Sequence, residues 1–154
     1  MTTPAQRLAE LGLTLPPVVA PVAAYVPAVR TGGFVYTSGQ LPMVDGKLSA
    51  VGKVGAEVSG TDAAELARTC ALNALAAAAS AAGGLDAIAR IVKVTGFVAS
   101  APGFSGQPQV VNGASELLLE VFGEDGRHAR SAVGVAELPL NAPVEVELIA
   151  QIRS

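Results

Sequence analysis

Arg130, Glu145 and Glu147 are the charged residues of this sequence whose setting could do chemistry. Residues 129–136, Ala-Arg-Ser-Ala-Val-Gly-Val-Ala, have the composition of a strand, in which alternate side chains face opposite ways. Arg130 therefore shares a face with Ala132, Gly134 and Ala136, and nothing larger than alanine stands beside it. A guanidinium keeps its charge at all working pH values, and its fork matches a carboxylate with two parallel hydrogen bonds. An arginine with open space in front of it thus suits a small organic acid. The same spacing also fits a cross-strand ion pair with Glu145 or Glu147. Those two glutamates share one face of a second strand with Ile149. There a carboxylate could orient or deprotonate a water, or simply line a solvated sheet face.

Other polar residues are less specific. Tyr25 opens a strand, Ser38 precedes Gly39, and Asn112 lies in a helical segment; each has an ordinary structural use. His128, beside Arg127 and Arg130, is either an acid/base group or a solvated loop histidine. Cys70, set among alanines, has surroundings that favour packing over thiolate chemistry. One cysteine and one histidine cannot build a zinc cluster within a chain. The sequence has no nucleophile elbow, phosphate loop, dinucleotide fingerprint or His-Glu-x-x-His helix. Any reaction must run on a carboxylate clamp, a positioned water and one acid/base.

The elements that position these residues follow from patterning. The segment after Pro4, residues 5–11, reads as a short helix stopped by Gly12. Residues 25–29 and 34–38 read as strands joined by a turn at 30–33, with a further turn at Asp45-Gly46. Asp62 and Glu65 form a capping-box pattern at the head of an alanine-dominated helix that runs to Ala82 and stops at Gly83-Gly84. A strand is expected over 91–99, a loop through Pro102, Gly103, Gly106 and Pro108, a helix over 110–122, and strands over 129–136 and 144–152 around a turn at 138–143. The order β-β-α-β-α-β-β predicts an α+β domain with two helices on one face of a mixed sheet. Residues 1–19 are expected to be an extension and 20–154 a single domain.

Bulk composition narrows the function. Of 154 residues 51% are hydrophobic and 15% charged, against roughly 25% charged in ordinary soluble domains. So little polar surface predicts a buried interface between subunits. The longest charge-free stretches, 11–29 and 69–85, are broken by prolines or consist mostly of alanine, so neither suits a bilayer span. The first eleven residues carry Arg7 and Glu10 and no signal-like apolar run, which predicts a cytoplasmic protein. A net charge of −3 without a basic cluster argues against a nucleic-acid partner.

Taken in order, Ala24-Tyr25-Val26-Pro27-Ala28-Val29, Phe34-Val35-Tyr36-Thr37-Ser38-Gly39-Gln40-Leu41-Pro42, Ala129-Arg130-Ser131-Ala132-Val133, and Leu138-Pro139 with Val144-Glu145-Val146-Glu147 resemble the RidA/YjgF family, reactive-intermediate deaminases also named endoribonuclease L-PSP. The resemblance covers residues 20–152. It implies a chorismate-mutase-like fold assembled as a homotrimer, with a barrel-like centre and clefts between subunits. It further implies that Arg130 grips a substrate carboxylate and that Glu145 positions water. Tyr25, Ser38, Asn112 and the backbone of Ala132 would line the cleft, with Tyr25 coming from the adjacent subunit. The implied activity is hydrolysis of 2-imino or enamine acids to 2-oxo acids and ammonia, with no metal or organic cofactor and with a small carboxylate-bearing metabolite as partner.

The chain departs from the family pattern at several points. Ala132 stands where many imine deaminases have cysteine, Ala23-Ala24 replaces Gly-Pro, and residues 105–109 resemble a longer loop. These departures keep two alternatives in view: a non-catalytic trimer that binds a small 2-oxo or amino acid, and a ribonuclease or translation inhibitor, which the acidic charge disfavours.

Overall fold

In the computed structural model, which describes residues 1–18, 20–21 and 23–154, a mixed sheet is built from β1 (Ala28–Thr31), β2 (Phe34–Thr37), β5 (Ile88–Ala99), β6 (Ala129–Val135) and β7 (Val144–Ile152). Its order is β1-β2-β7-β5-β6; β6 runs parallel to β5 and the remaining neighbours are antiparallel. A small hairpin, β3 (Met43–Val44) with β4 (Lys47–Leu48), turns at Asp45-Gly46, both with positive φ. Three helices complete the fold: α1 (Pro4–Glu10), α2 (Gly60–Ala82) and α3 (Gln107–Phe122). This is the expected α+β plan, with the β3/β4 hairpin added.

The sheet has two unlike faces because strand side chains alternate. Val144, Val146, Leu148 and Ala150 on β7, with Val94 and Val98 on β5, are buried beneath the helices. The other face is open and carries Val29, Phe34, Tyr36 and Val133, all more than a third exposed. α2 presents a stripe of fully buried alanines, Ala67, Ala71, Ala74 and Ala78, a thin layer that lets the helix lie close to the sheet. α3 lies close to both neighbours at glycines. A Cβ on Gly96 would strike the Val111 methyls, and one on Gly113 would land on the Ala64 carbonyl oxygen of α2.

Element boundaries shift from the sequence expectation for local reasons. β1 starts at Ala28, not Tyr25, because the carbonyls of Val26 and Pro27 are engaged by Ser38 and Pro27 has no N–H to donate. α2 is capped by Ser59, whose hydroxyl accepts the Asp62 N–H at 3.1 Å, so Asp62 lies within the first turn rather than at the cap. β5 begins three residues early, and two register shifts within residues 88–93 break its alternation. α3 begins at Gln107 with Pro108 in its first turn, so part of the expected 105–109 loop is helix. α1 carries the Thr3/Gln6 capping box, and Asp86 Oδ1 accepts the Ala5 N–H at 2.8 Å. Its Leu8 is buried in the common core. No helix among the described residues is long and apolar enough to cross a membrane.

The α2/α3 contact should be intolerant of volume. Gly113→Ala is expected to lower the urea unfolding free energy by roughly 2–3 kcal/mol, as overpacking against fixed backbone does. Gly33→Ala, with nothing within 4 Å of the added atom, should change it by less than about 0.5 kcal/mol.

Candidate functional site

Arg130 lies opposite Val94 in the parallel pair and so points to the helical side of the sheet. There the first turns of α3 meet it. Nη1 donates to Asn112 Oδ1 at 2.8 Å and to Ser115 Oγ at 3.2 Å, and Nη2 donates to the Pro108 carbonyl at 3.4 Å. Asn112 and Ser115 are three apart on one helix face, which is why both reach the same guanidinium. Ala132 follows on the same face of β6 and packs on the core. The ion pair with Glu145 or Glu147 that strand spacing allowed is not formed. Three salt bridges join described residues, Lys53–Glu137, Arg68–Glu120 and Arg127–Glu124, and none includes Arg130.

Glu145 belongs to a second group of residues. It pairs with Phe97 across β5/β7 and faces the open side, away from Arg130. Gln40 and Val146 exchange two backbone hydrogen bonds of 2.8 and 3.0 Å, which draws Gly39 against Glu145. A Cβ at Gly39 would collide with the Glu145 carboxylate. The Ser38 hydroxyl donates to the Val26 carbonyl at 2.6 Å and its N–H to the Pro27 carbonyl at 2.8 Å, which clasps the Tyr25 bend to the end of β2. Tyr25, Pro27, Gly39, Leu41, Pro139 and Leu140 line one apolar cavity. Buried Asn73 of α2 donates to the Leu41 and Met43 carbonyls, both at 3.0 Å, and fixes the chain beyond Gly39.

Electrostatics differ between the groups. Burial pushes the half-buried Glu145 carboxyl above the usual range, and Glu147 beside it adds to the shift. A carboxyl shifted upward in this way holds a proton more readily than a free one, which suits a group that takes a proton and gives it back. Cys70 is fully buried beneath β7 with its thiol 3.6 Å from the Val144 carbonyl; burial first, and the charge of Glu145 second, push that thiol well up. It is a packing residue.

Of the sequence-selected residues, Arg130, Asn112 and Ala132 form one cluster, while Tyr25, Ser38 and Glu145 form the other. Within one chain the sheet separates them. Sequence reasoning missed Ser115 and Gly39 as parts of these clusters. The i, i+3 relation of Ser115 to Asn112 and the Ser-Gly pair after β2 were the available signals.

The family model described as "YjgF/chorismate mutase-like, putative endoribonuclease" matches residues 5–152. Protein TCP17 of Trypanosoma cruzi is 44% identical over 151 residues, 97% of this chain and 94% of that protein. The protein Atu1372 of Agrobacterium tumefaciens has a crystal structure with a TM-score of 0.90 at 48% identity, covering 97% of this chain and 92% of that one. The crystal structure of Escherichia coli TdcF with bound serine gives a TM-score of 0.63 at 29% identity over 89% of this chain and 94% of the other. With the α+β frame common to these proteins and a family match from α1 to the end of β7, this chain belongs to the YjgF/RidA family.

Proposed function

We propose that this protein hydrolyses reactive 2-imino or enamine acids to 2-oxo acids and ammonia at a site completed between subunits of a homotrimer. The observation that carries the proposal is the state of Arg130. It is fixed by neutral acceptors, so its charge is left unspent within the chain for a substrate carboxylate. Asn112 and the backbone near Ala132 complete that half of the cleft. Tyr25, Ser38 and Glu145 of a neighbouring copy form the other half, since they cannot reach Arg130 across their own sheet. The exposed apolar residues of the open face, Val29 at 52%, Tyr36 at 44% and Val133 at 43%, support a partner subunit there.

In the reaction, water directed by Glu145 adds to the C=N carbon: the C–O bond forms as the π electron pair moves to nitrogen, and Glu145 takes a water proton and passes it to that nitrogen. The carbinolamine hydroxyl then gives its proton to Glu145, which hands it to the amine nitrogen as C=O forms, the C–N bond breaks and ammonia leaves. No step asks for a cofactor.

One observation favours a second reading. TdcF crystallised with serine, an amino acid, so a non-catalytic trimer that binds a small amino or 2-oxo acid through Arg130 also fits. The endoribonuclease of the family description draws no support from a chain of net charge −3.

A coupled assay decides between the readings. An amino-acid oxidase releases 2-iminopropanoate, semicarbazide traps it, and active protein should divert it to pyruvate. Arg130→Ala should lower kcat/KM by at least about 100-fold, the effect of removing one partner of a charged pair. Undiminished trapping with the wild-type protein would sink the enzyme reading, and protection of the fold by 2-oxobutanoate would then favour the binder.

Glu145 gives a second, independent check. Its carboxyl is raised in the fold, so it favours the folded state below its unfolded pKa, and that contribution is lost as pH rises through the folded one. Glu145→Gln should therefore abolish hydrolysis yet raise Tm at pH 7.5. Glu147→Gln, which removes the neighbouring charge, should move the acid limb of the rate profile to lower pH. Gly39→Ala should displace only the end of a flexible side chain, losing activity while unfolding within about 1 kcal/mol of wild type. Light scattering should give three times the chain mass; a monomer would remove the shared cleft.

A further inference from the structure

Beside Arg130 lies a hydrogen-bonded chain that the reaction above does not use. His128 Nδ1 is 2.6 Å from the Gly126 carbonyl, and its Nε2 is 2.8 Å from Ser115 Oγ, the same oxygen that accepts from Arg130 Nη1. A carbonyl only accepts, so Nδ1 must carry a proton. In the neutral ring Nε2 is then a bare acceptor, and the single Ser115 hydroxyl proton is committed to it. The lone pairs of Ser115 are thereby turned to the guanidinium. With Asn112 Oδ1 taking its other hydrogen, both protons of Nη1 are used, and Nε with the remaining Nη2 hydrogen is left for an incoming carboxylate. Every donor points the same way, from Arg130 to Ser115 to His128 to Gly126.

The end of this chain is rigid. Gly126 is buried beneath α3, where a Cβ would land on the Leu118 carbonyl oxygen, so its own carbonyl cannot drift. Half-burial, followed by the short hydrogen bond to Gly126 and the charge of Arg130, sets the titration of His128; the net direction is down, which favours the neutral ring. We infer that His128 is a positioning residue, holding the Arg130 guanidinium in its carboxylate-binding orientation through the Ser115 hydroxyl. This inference rests on the reading of Arg130 as the clamp, and it gives the segment Gly126-Arg127-His128-Ala129-Arg130 a task.

Nitrogen-15 NMR of the full-length protein tests the relay without any ligand. His128 should show a protonated Nδ1 and a bare Nε2, and the Arg130 Nη1 signals, sharp in the wild type, should broaden in His128→Leu. A ring protonated on Nε2 alone, or Arg130 signals unaltered by His128→Leu, overturns the relay even if imines are hydrolysed. Calorimetry with 2-oxobutanoate then measures its consequence. His128→Leu and Ser115→Ala should each weaken binding about tenfold, the scale of a hydrogen bond to a charged group. The double variant should be no weaker than either single one. His128→Gln, which keeps an acceptor for Ser115, should recover most of the affinity, whereas additive losses or no recovery overturn the inference. Absence of 2-oxobutanoate binding in the wild type would instead overturn the clamp reading, with the NMR result still deciding the relay.

Discussion

Successive side chains of a strand take opposite faces of the sheet, and that two-residue period organises this protein's chemistry. Arg130 on β6 falls on the helical side and Glu145 on β7 on the open side. The helical side could have buried Arg130 altogether, had α3 covered the sheet edge with apolar side chains. Instead Gly96 admits Val111 close to β5, and this draws the first turns of α3 over the edge strand. Pro108, Asn112 and Ser115 are the residues those turns supply. A missing side chain at Gly96 thus determines which atoms surround a charge on the next strand.

Much of this frame was legible in the sequence. The alternation through residues 129–136 and 144–152 gave the correct facing of Arg130 and Glu145, since β6 keeps its register on β5 over residues 129–135 and β7 over residues 144–149. The alanine helix and its glycine stop were equally clear, with Gly83 at φ 93° closing α2. Irregular pairing concealed the rest. Register shifts hid the start of β5, and Pro108, which reads as a loop residue, lies in a first helical turn where its missing N–H leaves no bond unmade. Spacing along one strand could not show that Arg130 would be met by α3 rather than by a glutamate across the sheet. That depends on how close two layers approach, a distance no local pattern encodes.

The partners of Arg130 distinguish it from the two arginines that form salt bridges among the described residues. Arg68 is held by both Glu120 oxygens at 3.3 and 3.0 Å, and Arg127 by Glu124, so each has its charge matched inside the chain. Arg130 receives two side-chain oxygens and a carbonyl, all uncharged. Such acceptors fix the plane of the guanidinium without neutralising it. An anion that arrives finds the group already oriented, so less side-chain entropy is lost on binding. A carboxylate in place of Asn112 would hold the side chain as firmly and cancel the attraction.

Glu145 presents the same situation with the opposite sign. It is half-buried on a face it shares with Glu147, among the described residues no cation pairs with it, and the space for its carboxylate exists because Gly39 has no side chain. Partly buried charges without partners oppose folding, and a glutamine would fit either surrounding at lower desolvation cost. Arg130 and Glu145 are such groups on opposite sides of the sheet, each fixed by its neighbours and neither in a salt bridge among the described residues. Stability alone does not account for that pairing. In the shared cleft we propose, a ligand that brings a carboxylate to Arg130 and a proton-bearing water to Glu145 would supply both counterparts at once.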